Sequence, residues 1–197
     1  MKYISIGPNC HSAGCLKLLK LKESSYPFDW MLSDIKIVID CIEDNFVKFL
    51  NTENYYTKTD DKKIYHKYYN NLIFVHRDPT TENDYSYTLR CVERWNNLQY
   101  CNDEICFLYT TYRNNINIEQ INILHGLLIQ KFSNIRILIF NYIKVDLVSQ
   151  IKHEYIENDI YTIINIYIVY DNSIEYDIDK HIMNYHTLYN PIRSLYN

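Results

Sequence analysis

Cys10 is the residue whose type and setting point most directly to chemistry. It follows an alternating β-branched and aromatic run at residues 2–6 and the breaker Gly7-Pro8-Asn9, and a helical pattern starts at it. A strand, a tight turn and a helix are therefore expected, with Cys10 at or within one residue of the helix N-terminus. The open N–H groups and positive dipole end at such a place favour a thiolate, and the same N–H groups can hold an oxyanion during acyl transfer. The plain structural alternative is a small thiol buried at a helix start. Among seven histidines, His76 is the best-placed base. It ends the apolar run Leu72-Ile73-Phe74-Val75, where its backbone is held and its ring can face a cleft. Asp78 or Asp29 could orient that ring. The bland alternative for a histidine at a strand end is a surface residue. His11 adjoins Cys10, but neighbouring helix positions diverge.

The cluster Pro27-Phe28-Asp29-Trp30 also stands out. Structurally it reads as a turn whose aromatics plug the core while Asp29 bonds to backbone; functionally it would bring Asp29 beside Cys10 and His76. Familiar sites are missing. There is no Cys-x-x-Cys, and the Cys10/Cys15 and Cys101/Cys106 spacings suit zinc poorly, so no metal and no cofactor is expected. No glycine-rich nucleotide loop exists, a phosphatase-like Cys-x5-Arg fails because position 16 is Leu, and no Gly-x-Ser-x-Gly elbow occurs.

These residues need elements to position them. The first helix runs over about residues 10–21, with Ala13, Leu16 and Leu19 on one stripe. A second, with Ser33 as N-cap, carries Ile35, Val38, Ile39, Ile42, Phe46 and Phe49 up to Leu50. Residues 51–71 read as a loop with short strands. Strand 72–75 follows, then a helix over about 84–98 with Leu89, Val92 and Trp95 inward. After that come a strand at 104–111, a helix starting at Asn117 with Gln120 three residues on, a strand at 134–143, a helix near 145–157, a strand at 161–170 and a last helix near 178–189. Strands alternating with amphipathic helices predict an α/β fold: one domain over residues 1–197, a mostly parallel central sheet and helices on both faces. In such sheets ligands sit beyond the carboxyl ends of the strands, which singles out residues 7–10 and 76–78.

The 197 residues fit one domain, and 47% hydrophobic content provides for a sizeable core. A net charge of −4 gives no reason to expect nucleic acid, and no aromatic-basic ribonucleoprotein motif occurs. The apolar runs at 135–142 and 160–170 are broken by Arg136, Asn141 and Asn165, so neither a membrane segment nor a signal peptide is read. Six cysteines without an export signal are expected as reduced thiols in the cytoplasm, or the host cytoplasm for a viral protein. Twenty-one Tyr against three Gly, with abundant Ile, Asn and Lys, reflect AT-rich codons, as in an AT-rich virus or microbe.

Ser5-Ile6-Gly7-Pro8-Asn9-Cys10, Pro27-Phe28-Asp29-Trp30 and Phe74-Val75-His76 together resemble a family of putative papain-like cysteine peptidases found in bacteria and large DNA viruses. The resemblance covers about the first hundred residues, including the helix around residues 90–95. It implies a Cys10 nucleophile, a His76 base, Asn9 or the Cys10 N–H as oxyanion donors, and a peptide or isopeptide bond as substrate. His11 and Trp30 join Asn9 as substrate-side candidates. The family places Asp directly after its His, whereas here Arg77 intervenes before Asp78, so the orienting residue is left between Asp78 and Asp29. A papain-like fold would carry its His on an antiparallel sheet; the strand before Cys10 and the alternating second half predict a parallel layer instead.

Two further classes stay open. One is a non-catalytic module holding an anionic ligand or protein partner at the turn 7–10 and its helix start. The other is an interaction protein using exposed tyrosines.

Overall fold

A computed structural model describes residues 1–58, 63–112, 116–145 and 153–169. In chain order the helices and strands are β1 (Lys2–Ser5), α1 (Cys10–Leu18), α2 (Ile35–Glu43), α3 (Val47–Leu50), β2 (Tyr55–Thr57), β3 (Ile64–His66), β4 (Tyr69–Phe74), α4 (Glu82–Asn97), β5 (Ile105–Tyr112), α5 (Ile118–Lys131), β6 (Ile135–Val145), β7 (His153–Glu157) and β8 (Tyr161–Val169). Five strands form the main sheet in the order β1-β5-β6-β8-β7. The first four are mutually parallel and β7 pairs antiparallel on the far edge. The fold is α/β with a mostly parallel sheet.

Side-chain alternation along the strands divides the core into two layers. Ile105, Phe107, Ile137, Ile139 and Ile163 face the cluster that holds Val38, Ile42, Trp95, Leu124 and Leu128 of α2, α4 and α5. Cys106, Leu108, Leu138, Phe140 and Ile164 face the other way, onto Cys15 and Leu16 of α1. Helices thus cover both faces, with α1 alone among the described helices on its side. No helix among the described residues is long and apolar enough to cross a membrane.

Several elements differ from the sequence expectation. The second helix is capped by Asp34, whose carboxylate accepts the Ile37 N–H at 3.0 Å, rather than by Ser33. It does not run to Leu50. Asn45 and Phe46 take left-handed φ values of 53° and 64°, which end α2 and turn Phe46 inward. There it meets Phe28, Phe49 and Trp95 at ring separations of 5.7–5.9 Å, and this burial offsets the strained backbone. Leu89, expected inward, is exposed.

Residues 153–157, read as part of a helix, form β7, with Tyr155 opposite Ile164. A short run of mixed polarity fits either period, and pairing with β8 decided it. The helix near 178–189 falls outside the described residues.

The most consequential difference concerns β4. It belongs to a separate antiparallel sheet of order β2-β3-β4, joined to the rest through a bridge between Met31 and Phe74 and through Phe74 packed on Phe49. The rule about carboxyl ends of parallel strands therefore applies to residues 7–10 and not to 76–78.

Candidate functional site

The turn after β1 is built around Gly7. Its φ is +107°, and a Cβ there would collide with the Ser33 carbonyl and hydroxyl oxygens, so glycine is required twice over. The Gly7–Pro8 peptide is cis, the Pro8 carbonyl accepts the Ser33 N–H at 2.7 Å, and the Gly7 carbonyl accepts from Thr110 N–H at 3.1 Å. Ser12 Oγ also donates to the Gly7 carbonyl and lies 3.0 Å from Thr110 Oγ1. The turn is thus pinned to β5 and to the segment after Trp30. Asn9 is the N-cap of α1; its side-chain oxygen accepts the His11 N–H at 2.9 Å. Cys10 is the first residue of α1, is half-buried, and has no acidic residue in its helical turn.

His76 lies just past β4 with its ring exposed, edge-on to Trp30 at 6.3 Å. Among the described residues no hydrogen bond joins it to Cys10, Asp78 or Asp29. The carboxylate of Asp78 accepts from Thr80 N–H at 2.9 Å and from the Thr80 hydroxyl at 2.5 Å, closing the turn before α4. Asp29 is fully buried. Ser5 Oγ donates to it at 2.5 Å, Tyr26 N–H donates at 2.9 Å, and Lys22 pairs with its second oxygen. That satisfied set ties the 22–29 turn to β1. Trp30, half-buried, borders two concavities, one of them also lined by Arg77 and Cys91.

The structure also assembles a group that sequence reasoning did not. His11 turns inward, its Nε2 3.1 Å from Tyr142 Oη and 3.5 Å from Cys15 Sγ, all three side chains buried at the carboxyl edge of the sheet on the α1 face. The i, i+4 spacing of His11 and Cys15 was readable along a helix. Tyr142 was not, because its place depends on the β5–β6 register.

The other thiols have contrasting settings. Burial pushes the Cys41 thiol up to about 12 and raises that of Cys91. Cys101, half-buried like Cys10, directs its thiol to the Asp103 carboxylate at 3.6 Å. Of the two half-buried thiols, only Cys10 sits at a helix start. Among the described residues no three of His, Cys, Asp and Glu gather in a way that could hold a metal ion.

Residues 1–145 match a family model described as putative papain-like cysteine peptidase. Neither a curated protein nor a solved structure matches the chain.

Proposed function

The chain belongs to the family of putative papain-like cysteine peptidases, and from that premise we propose that it is a cysteine-dependent hydrolase or acyl-transfer enzyme with Cys10 as the nucleophile. The observation that carries this reading is the half-buried thiol on the first residue of α1, at the carboxyl end of a parallel strand. Its sulfur attacks the carbonyl carbon of an amide, forming a C–S bond. The oxyanion produced is held by first-turn N–H groups of α1 other than that of His11, which the Asn9 cap already takes. The Asn9 side-chain oxygen is engaged in the cap, so its amide N–H2 is the donor it has to offer. His76 takes the thiol proton and passes it to the leaving amine as the C–N bond breaks; water then hydrolyses the thioester, with His76 as base. Asp78 or Asp29 remains the proposed orienting group, and Asp78 is the nearer along the chain. Peptides or proteins are the proposed substrates, and the cytoplasm the proposed compartment.

The test combines thiol labelling with turnover. Iodoacetamide labelling, located by mass spectrometry across a pH series, is expected to modify Cys10 well ahead of Cys101. Its apparent pKa should lie below the ordinary thiol value of about 8.5 and rise in His76→Ala. Hydrolysis of a fluorogenic peptide-amide panel should vanish in Cys10→Ala and fall by about a hundredfold or more in His76→Ala. Cys10 labelling no faster than Cys101, or turnover surviving in Cys10→Ala, would sink the reading. The absence of any acid in the first turn of α1 favours a second reading, an anion held non-catalytically at that helix start. Slow labelling together with protection of Cys10 by added phosphate would select it.

A further inference from the structure

Trp30 and Tyr87 wall an open cleft of about 450 Å3 between the end of α1 and α4. Its size falls within the ordinary range for ligand sites. Three cations line it, and they are not equivalent. Lys22 is neutralised by the buried Asp29. Glu23, the one acid among the described residues that line the cleft, turns to Lys2 at 3.2 Å. Lys17 and Arg94 have no carboxylate partner among the described residues.

Arg94 is the more informative of the two. It is half-buried and held in place by neutral groups, with Nε donating to the Ser25 carbonyl at 2.8 Å and Nη2 to Cys91 Sγ at 3.1 Å. A guanidinium has five N–H donors, so two such bonds leave donors in hand. Partial burial of a cation without a counter-charge is unfavourable, while a guanidinium already fixed in orientation suits a carboxylate or phosphate. The aromatic walls supply apolar area beside it.

Position links the cleft to the thiol. Lys17 is seven residues beyond Cys10 on α1, roughly 10 Å along the helix axis. That is the span of about three extended residues. His76 touches the edge of Trp30, one wall of the cleft.

We propose that this cleft is a substrate subsite for an anionic side chain, acidic or phosphorylated, on a peptide whose attacked bond lies about three residues away. The proposal rests on the thiol-hydrolase reading, and its test separates the two. The full chain carrying Cys10→Ala, which does not turn substrate over, is titrated with Trp-free peptides identical except for Glu, phosphoserine or Gln at one position. The readout is tryptophan emission. The chain has two Trp residues; Trp95 is fully buried, so ligand-dependent change reports Trp30.

The Glu or phosphoserine peptide should bind about ten-fold or more tightly than the Gln peptide, with affinity falling as salt rises. Which of the two binds identifies the source of the charge. Arg94→Gln should remove the preference. Lys17→Glu, on an exposed position where folding is not at stake, should weaken the anionic peptide several-fold and leave the Gln peptide unchanged. Equal affinity for all three peptides, indifference to both substitutions, or inorganic phosphate binding as well as the peptide does would overturn the subsite. Fast Cys10 labelling in the wild-type chain without anionic preference rejects the subsite alone. Anionic preference with an unreactive Cys10 rejects its role as a substrate subsite and the hydrolase reading together.

Discussion

Two regions of this molecule bring cysteine, histidine and tyrosine together, and they differ in nearly everything that governs reactivity. At the carboxyl edge of the parallel sheet, Cys10 opens α1 with His11, Cys15 and Tyr142 packed behind it. Between α2 and the small antiparallel sheet, Cys41 lies 3.3 Å from Tyr69 Oη, which donates to Asp40 at 2.9 Å, while His66 stacks on Tyr69 at 4.3 Å. The second group is the more complete inventory for nucleophilic catalysis, since it includes a carboxylate. Yet Cys41 has no solvent exposure and sits in the last turn of α2, near the negative end of its dipole and beside Asp40 and Asp44. Burial and those carboxylates push its thiol to about 12, and the Tyr69 hydrogen bond only partly opposes them. Residue types in proximity do not make a nucleophile. Exposure and the end of the helix decide it.

The sharpest way to break this contrast is to compare alkylation rates of the two thiols in the native protein. At neutral pH a thiol titrating near 12 is ionised to about one part in a hundred thousand, against a few per cent for an unperturbed thiol. Cys10 should therefore react on the order of a thousand-fold faster or more, and the two should converge in denaturant. Native rates within ten-fold of each other would mean that the two environments are equivalent.

A structural break comes next in size. Gly7→Ala forces a side chain into positive φ and against the Ser33 backbone at once. The left-handed backbone alone costs about 1–2 kcal/mol, and a backbone collision cannot be relieved by a rotamer change. Urea unfolding should show a loss above about 2 kcal/mol, together with a changed Cys10 labelling rate in the surviving folded fraction. A near-neutral result would show that the turn is not held against Ser33.

On the other side of the comparison, Tyr69→Phe deletes the hydroxyl that joins Cys41 to Asp40. A buried hydrogen-bonding group removed in this way costs about 1–2 kcal/mol. Stability should fall by that amount while Cys10 labelling stays at the wild-type rate. A change at Cys10 would mean that the two regions are coupled.

How much of this could be read beforehand follows from the range of the interactions involved. The strand, turn and helix around Cys10 were legible because Gly7, Pro8 and Asn9 break the strand locally, although the role of Asn9 as the cap of α1 was not read. The α/β class was legible from alternation. The separate sheet holding β4 was not, because its pairing with β3 competes with the main sheet for one apolar run, and nothing local in residues 69–74 selects between them. Nor was the break at Phe46, where an aromatic cluster drawn from Phe28, Phe49 and Trp95 overrides helical periodicity. Arg94 reaches Ser25 across 69 positions of sequence, a contact no spacing rule can anticipate.

The smallest expected effect concerns His66, in the region that has the residues but not the reactivity. Burial lowers its pKa below the ordinary 6.5, outweighing the Lys48 carbonyl at 3.0 Å and the Asp40 and Asp44 charges, which pull the other way. Unfolding releases that constraint, so between the folded and unfolded values the unfolded chain binds more protons. The stabilisation from keeping His66 neutral is complete above about pH 6.5 and is lost as pH falls through the lowered folded value. Urea midpoints measured at pH 7.5 and 5.5 should drop for the wild type by more than for His66→Asn, which does not titrate. An equal drop in both proteins would place the acid sensitivity outside the cluster of Cys41, Tyr69 and His66.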